Sequence, residues 1–212
     1  MANECRHRLT IKGDPAEVEH LFAEIRGLPG APNELMDLNS IIPAPKSIRR
    51  LLKLGLLDIV REAVEDEAAF AAYERKQQAA RSAAWLETGC ETWGEWAQAA
   101  WGSMSNVFNV EYAEDEPSTI LFSTVWVPVI PALIELSAIV PTVTLKLAFA
   151  DEGGYIVGKG TIRAGKKRVS KCPIGTQEGR QIFESFWGQW FGPEPDSDKV
   201  DEVIDQTHKT AS

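Results

Sequence analysis

The feature that most constrains this chain is a regular alternation of side chains near its start. From Cys5 to Lys12, Cys, His, Leu and Ile alternate with Arg, Arg, Thr and Lys. Successive side chains of a β-strand point to opposite faces, so this pattern predicts a strand with one buried and one polar face. Asp14 and Pro15 follow, and they are typical of a helix N-cap and of the first helical position. The chain is therefore expected to begin with a strand followed directly by a helix.

The alternation returns in the second half of the chain, where turn residues and prolines separate the segments. We expect four strands in one antiparallel sheet, at 4–12, 106–113, 118–125 and 142–149. Helices at 14–26 and 128–139 should cover one face of this sheet. A further strand at 155–163 should pair as a hairpin, and a last helix should follow at 176–191. With the helical region from 28 to 105 treated as an insertion, the order is β-α-β-β-α-β. This order predicts an α+β, ferredoxin-like fold with an extra C-terminal hairpin and helix.

The length and composition favour a single globular domain over residues 1–192, with the helical insertion at about 28–105. Residues 193–212 are mostly polar and acidic, so they predict a mobile tail. The sequence has no apolar run of about 18 residues and no apolar stretch after its first residues, which indicates a soluble, cytoplasmic protein.

Catalytic and metal-binding patterns are missing from the sequence. It contains three histidines and three cysteines, and only Cys5 and His7 are close together. Two ligands do not make a metal site, and no nucleophile elbow, phosphate loop or dinucleotide-binding glycine pattern occurs. We therefore predict no catalytic residue, no metal and no cofactor, and expect a binding protein rather than an enzyme.

The charge distribution raises two hypotheses about the partner. The formal net charge is −9, from 31 acidic and 22 basic residues. On a helix, four acidic residues at steps of three and four would share one side: Asp58, Glu62, Glu65 and Asp66. The first hypothesis is that this acidic face docks on a basic groove of a host protein or nucleoprotein complex.

The second hypothesis is a nucleic-acid-binding accessory protein, because bases concentrate where acids are missing. The polar side of the first strand would carry Arg6, Arg8 and Lys12, and the fourth strand would add Lys146. Residues 159–171, which we call the basic hairpin, contain five further cations: Lys159, Arg163, Lys166, Lys167 and Arg168. Phe122 and Trp126 on the third strand would offer aromatic rings. The simpler interpretation is that these cations are the solvated side of a half-buried sheet. The sequence leaves open whether the helical insertion covers that side.

The seven tryptophans leave a similar choice open. Trp93, Trp96 and Trp101 fall close together, and Trp187 and Trp190 lie in the last predicted helix. Filling the core is the simpler role for aromatic residues of this size. An exposed interaction patch is the alternative, since tryptophan is enriched at interfaces.

Five segments taken in order carry a resemblance to a known family: MANECRHRLTIKG, DLNSIIPAP, WGSMSN, FSTVWVPVIPALIELSAIVP and LKLAFADEGGYIVGKG. Over about residues 1–165 the chain resembles the YubB-like proteins of phages and plasmids, which carry a ferredoxin-like domain. The resemblance implies a mobile-element origin and a bacterial cytoplasm. Together with the acidity of the chain, it leads to the hypothesis of an inhibitor of a bacterial defence system such as a CRISPR effector.

Overall fold

The computed structural model describes residues 3–57, 67–114, 116–190 and 192. Its strands are β1 (Glu4–Lys12), β2 (Phe108–Ala113), β3 (Glu116–Val125), β4 (Thr144–Asp151), β5 (Val157–Arg163) and β6 (Lys166–Lys171). Its helices are α1 (Pro15–Ile25), α2 (Leu38–Ile41), α3 (Lys46–Leu57), α4 (Glu67–Thr88), α5 (Trp93–Ala100), α6 (Ile130–Ile139) and α7 (Gln177–Trp187). Within these residues, no helix is long and apolar enough to cross a membrane.

The six strands form one sheet in the order β2-β3-β1-β4-β5-β6. Every pairing is antiparallel, which confirms the prediction of an α+β fold with an antiparallel sheet. Strand β1 lies between β3 and β4, and its Leu9 is opposite Ile120 on one side and Leu147 on the other. The first strand of the chain therefore completes the middle of a sheet whose other strands all come after residue 107.

Strand β6 is not among the strands that the sequence predicts, because its six residues, KKRVSK, carry almost no apolar alternation. The turn before it supplies the missing signal. Ala164 and Gly165 have φ angles of 49° and 72° and connect the paired residues Arg163 and Lys166. Positive φ at both central residues of a two-residue loop is the hairpin turn that matches the twist of a sheet. Turn geometry and pairing with β5 therefore place this strand.

One face of the sheet is covered by helices and holds the main core. Cys5, His7, Leu9 and Ile11 of β1 all point to this side and are buried. Leu21 of α1 and Leu133 of α6 belong to the same hydrophobic cluster as Leu9. We call this side the covered face.

The described part of the insertion packs on the covered face as well. Ile48, Trp96 and Trp101 join the main cluster, and the indole Nε1 of Trp101 donates to the carbonyl of Ile42 at 3.0 Å. The described residues of the insertion therefore pack on this face and not on the opposite side of the sheet.

Helix α7 covers part of that opposite side, which we call the open face. A second, smaller cluster forms there from Ala150, Val157, Cys172, Ile174 and Phe183, with Ile182, Phe186, Trp187 and Trp190 packed against it. The indole Nε1 of Trp187 donates to the carbonyl of Ala150 at 3.0 Å. Helix α7 begins with a side-chain cap, since the hydroxyl of Thr176 accepts from the amide of Gly179 at 3.0 Å.

Candidate functional site

The part of the open face that α7 leaves bare carries a set of exposed basic side chains. The strand registers place even-numbered residues of β1 and β4, odd-numbered residues of β5 and even-numbered residues of β6 on this face. Seven exposed cations point to it. One of them, Arg163, donates to the carbonyl of Pro141, and six remain: Arg8, Lys12, Lys146, Lys159, Lys166 and Arg168. We call these six residues the cationic sheet face.

The cations on neighbouring strands are staggered. One cross-strand row runs Arg8, Ala148, Lys159 and Ser170, and the next runs Thr10, Lys146, Thr161 and Arg168. Each cation in these two rows therefore has a small or neutral residue opposite it on the adjacent strand, whereas Lys166 is opposite Arg163 at the end of the sheet. Like charges directly opposite one another destabilise a sheet, so this arrangement holds several cations together at little cost.

The two rows line a shallow depression of about 600 Å³ beside α7. The basic residues at its wall are Arg8, Lys146, Lys159, Arg168 and Lys171, and its one carboxylate is Glu178 of α7. The small side chains between the cations keep the floor open. The depression is thus accessible to an extended anion.

Glu178 is paired with a member of the cationic sheet face. Its carboxylate forms a salt bridge with Lys159 and accepts from the thiol of Cys172 at 3.5 Å. The hydrogen bond from Lys159 holds the pKa of Glu178 below its usual value, and Glu178 in turn raises the pKa of Lys159. Both groups are more than half exposed, so the pair exchanges readily with solvent and contributes little to stability.

A second carboxylate, Glu116 at the start of β3, lies near the other end of the cationic sheet face. It accepts from the hydroxyl of Thr119 at 2.8 Å, and the hydroxyls of Thr119 and Thr10 are 2.7 Å apart. The hydrogen bond from Thr119 lowers the pKa of Glu116, and nearby Lys12, with Arg8 and Lys146, lowers it further. Glu116 is therefore ionised and offsets part of the charge there. Glu111 on β2 faces the same side but lies beyond β3.

The structure brings together five of the eight residues that the sequence assigns to nucleic-acid binding: Arg8, Lys12, Lys159, Lys166 and Arg168. Lys167 is separated from these five, because its pairing with Ile162 places it on the covered side of the sheet. Arg163 donates from Nε to the carbonyl of Pro141 at 3.3 Å, which holds it at the end of the sheet.

Arg6 is also separated from these five, because its side chain contacts α7. Its Nη1 donates to the carbonyl of Phe186 at 2.7 Å, and its guanidinium lies 3.8 Å from the ring centroid of Trp187. Its Nε also contacts Glu4 at 3.3 Å. Arg6 therefore attaches α7 to the sheet. No local pattern predicts this role, because Phe186 is 180 residues away along the chain.

Aromatic stacking is not available on this surface. Phe122 is buried on the covered face, where its ring stacks on His7 with centroids 4.5 Å apart. Trp126 is 47% exposed but lies after β3, in a backbone conformation with φ of 65°. The residues that line the depression include no aromatic side chain. The site therefore offers charge and hydroxyl groups, and it suits phosphate groups rather than bases.

The pair Cys5 and His7 is buried on the covered face, with the sulfur 3.8 Å from Nε2. Burial lowers the pKa of His7 to about 3 and raises the pKa of the Cys5 thiol, so both groups are neutral. Among the residues that the structure describes, no three His, Cys, Asp or Glu side chains come together in a way that could hold a metal ion.

The tryptophans divide between the two roles that the sequence left open. Trp96 and Trp101 are buried, and Trp93 meets Trp101 edge-on with centroids 5.4 Å apart. Trp85 and Trp126 are about half exposed. The acidic residues Asp58, Glu62, Glu65 and Asp66, like the tail 193–212, lie outside the described residues.

Comparison with known proteins gives one family match. Residues 107–188 match a family model described as a ferredoxin-like domain in Api92-like protein. Among solved structures, a crystal structure of the protein Api92 from Yersinia pseudotuberculosis is similar at 11% sequence identity, with a TM-score of 0.41. That alignment covers 81% of this chain and 98% of the other. No curated protein matches the chain.

The family match supports the ferredoxin-like description for the segment from β2 to α7. That segment includes β5 and α7, which the sequence analysis places outside the β-α-β-β-α-β order, and β6, which it does not predict. It does not include β1, although β1 pairs with two of its strands. Four of the six cations of the cationic sheet face lie within the matched residues.

Proposed function

We propose that this protein binds nucleic acid without catalysis, holding the phosphate backbone on the cationic sheet face. The observation that carries the proposal is the gathering of six exposed cations from four strands on one bare surface, in a chain whose net charge is −9. Neutralising phosphates with Lys and Arg releases counterions, and this supplies most of the affinity of sequence-independent binding.

The chemistry of the depression favours backbone contacts over base recognition. Bases are bound by stacking on aromatic rings or by hydrogen bonds to their edges. The depression has no aromatic lining residue, whereas Thr161 and Ser170 add hydroxyl groups between the cations. Phosphate contacts of this kind position a strand but carry no sequence information.

The acidic remainder of the molecule is compatible with this function. A negative net charge repels nucleic acid from most of the surface, and the Debye length is about 8 Å at physiological salt. The cationic sheet face therefore acts over short range and admits nucleic acid in one orientation. The other hypothesis, an acidic helix that docks on a host protein, stays a prediction because its four acidic residues lie outside the described part of the chain.

The resemblance to YubB-like proteins of phages and plasmids adds a setting to the proposal. An accessory protein of a mobile element would meet nucleic acid in a bacterial cytoplasm. The binding proposal depends on the charged surface alone and would hold in any other setting.

The test is fluorescence anisotropy with labelled single-stranded DNA, duplex DNA and RNA over a series of salt concentrations. The parent protein should bind at about 50 mM salt, and its affinity should fall steeply with salt. Lys166→Glu with Arg168→Glu should weaken binding at least tenfold and reduce the slope of log K against log salt by about two, since each lost phosphate contact removes about 0.7 to 0.9.

The matched control is Lys53→Glu with Lys167→Glu. It changes the net charge by the same amount at two exposed residues that are not on the cationic sheet face. It should change the affinity less than about threefold, because Lys53 lies on α3 and Lys167 faces the covered side, so neither side chain contacts the bound phosphates. Equal losses in both double variants, or a parent that fails to bind at low salt, would reject the proposal.

A further inference from the structure

We infer that the acidic segment 193–212 of the same chain occupies the cationic sheet face when nucleic acid is absent. The inference rests on the proposed function and names what regulates it. The segment would act as an intramolecular competitor that only a polyanion of higher charge displaces.

The charge of the segment matches the surface. Residues 193–212 contain six acidic and two basic residues: Glu194, Asp196, Asp198, Asp201, Glu202 and Asp205, with Lys199 and Lys209. All six acids fall within twelve consecutive residues, at intervals of one to three. Acidic runs of this kind are typical of interaction tails. They offer carboxylates in the place of phosphates.

The last described residues before the segment lie on the open face of the sheet. Trp190 packs against the cluster of the open face, with its ring edge-on to Phe183 at 4.9 Å between centroids. Gly192 lies so close to the Trp190 ring that a Cβ there would be 2.2 Å from the ring. The last described residues are therefore held on the open face, beside the strands that carry Lys159 and Arg168.

The distance from Gly192 to the cations is short compared with the reach of a twenty-residue segment. Strand β5 has seven residues and extends about 20 Å at 3.3 Å per residue. The first acid, Glu194, follows Gly192 by two residues, and twenty residues can extend to about 65 Å. A tether of this kind keeps the segment at an effective concentration in the millimolar range. Even weak electrostatic binding would then be largely intramolecular.

The fold itself leaves room for such a counterion. Glu178 and Glu116 are the carboxylates that the described residues place against the cationic sheet face, and each is exposed. Glu178 pairs with Lys159, and Glu116 interacts with Lys12, Arg8 and Lys146, so among the described residues no carboxylate offsets Lys166 or Arg168. A covalently attached acidic segment is the nearest source of more negative charge.

The experiment compares three proteins in the anisotropy assay: the full chain, a chain that ends at Gly192, and a full-length variant with all six acids neutralised, by Glu194→Gln, Asp196→Asn, Asp198→Asn, Asp201→Asn, Glu202→Gln and Asp205→Asn. At about 50 mM salt the truncated and neutralised proteins should bind DNA about five- to tenfold more tightly than the full chain. The advantage should disappear at high salt, where the intramolecular contact is screened. Thermal denaturation checks that both variants keep the fold.

A second measurement does not use nucleic acid. A labelled peptide with the sequence of residues 193–212 should bind the truncated protein at low salt and the full chain several-fold more weakly. Lys166→Glu with Arg168→Glu in the truncated protein should remove this binding, whereas Lys53→Glu with Lys167→Glu should not.

The two proposals fail in different ways. DNA affinities that are equal in the three proteins, or a peptide that does not bind the truncated chain, overturn the inference and leave the proposed function intact. If the peptide binds but no form binds DNA or RNA, the proposed function is rejected, and the surface is assigned to the acidic segment alone.

Discussion

Two neighbouring residues of β1, His7 and Arg8, lie on faces of the sheet with opposite chemistry. His7 is buried between Phe122 and Phe149, and burial lowers its pKa to about 3. Arg8 is exposed beside Lys146 and Lys159. A step of one residue along a strand therefore separates a neutral imidazole in the core from a charged surface, because side chains alternate across the sheet.

The open face has two chemically different parts, whereas the covered face is apolar throughout its core. The covered face is continuous from α1 across the sheet to the insertion. The open face has an apolar part under α7 and a cationic part without cover. Arg6 lies at the boundary, two residues from Arg8 on the same face.

The covered face should carry most of the stability. Phe149 is 2% exposed in the main cluster, so Phe149→Ala should lower the free energy of unfolding by about 3–5 kcal/mol. Arg8→Ala, on the neighbouring strand and the other face, should change it by no more than about 0.5 kcal/mol. Urea denaturation followed by circular dichroism measures both. Similar losses in the two variants would contradict the assignment of the faces.

Acid should destabilise the covered face through His7. The pKa of His7 is about 3 in the folded state and about 6.5 in the unfolded chain, so only the unfolded state binds a proton between these values. This stabilisation is complete above pH 6.5 and is lost as the pH falls towards 3, by about 1.4 kcal/mol per pH unit. Between pH 6.5 and 5 the parent should therefore lose about 2 kcal/mol more than His7→Phe, measured by urea denaturation. Parallel pH curves would show that His7 does not titrate in this way.

The attachment of α7 should depend on Arg6. Arg6→Ala removes the hydrogen bond to the Phe186 carbonyl and the contact over the Trp187 ring, so it should lower the free energy of unfolding by about 1–3 kcal/mol. Arg8→Ala is again the control. Tryptophan fluorescence during denaturation reports α7 directly. If Arg6→Ala left stability unchanged but weakened DNA binding as much as Arg168→Ala, Arg6 would belong to the ligand surface.

The smallest effect concerns the salt bridge at the edge of the depression. Glu178→Gln frees Lys159 and should raise DNA affinity about two- to threefold, since an exposed pair is worth less than about 1 kcal/mol. Glu184→Gln changes the charge of the same helix at an exposed residue and is the matched control. An equal gain in both variants would indicate a general charge effect rather than release of Lys159.

Much of the fold could be predicted from local patterns. The strand from 4 to 12 is found at Glu4–Lys12, and the helix expected at 14–26 is found at Pro15–Ile25. Asp14 caps that helix as its sequence position indicates, since its carboxylate accepts from the amide of Ala16 at 2.9 Å. Periodicity and capping act within a few residues, so the sequence alone expresses them.

The candidate site could be predicted only in part, for the same reason. Alternation placed Arg8 and Lys12 on the polar side of β1, but β6 has no alternation that could assign Lys166, Lys167 and Arg168 to faces. The pairing of β6 with β5 decides this, and it depends on the turn at Ala164 and Gly165. A shift of one residue in that pairing would exchange the faces of all three.

The sequence alone is enough to predict the strands β1 to β5, the helices α1, α6 and α7, the polarity of β1 and the uneven charge of the chain. Only the tertiary structure decided which surface stays bare. Helix α7 covers the open face at Ala150 and Val157 and leaves Lys159 and Arg168 exposed, while the described insertion packs on the covered face. Those contacts join residues far apart in the chain, such as Arg6 and Phe186, and they form because separate apolar patches are buried against each other. No local pattern encodes such a pairing, because it depends on the shapes of both partners after each has folded.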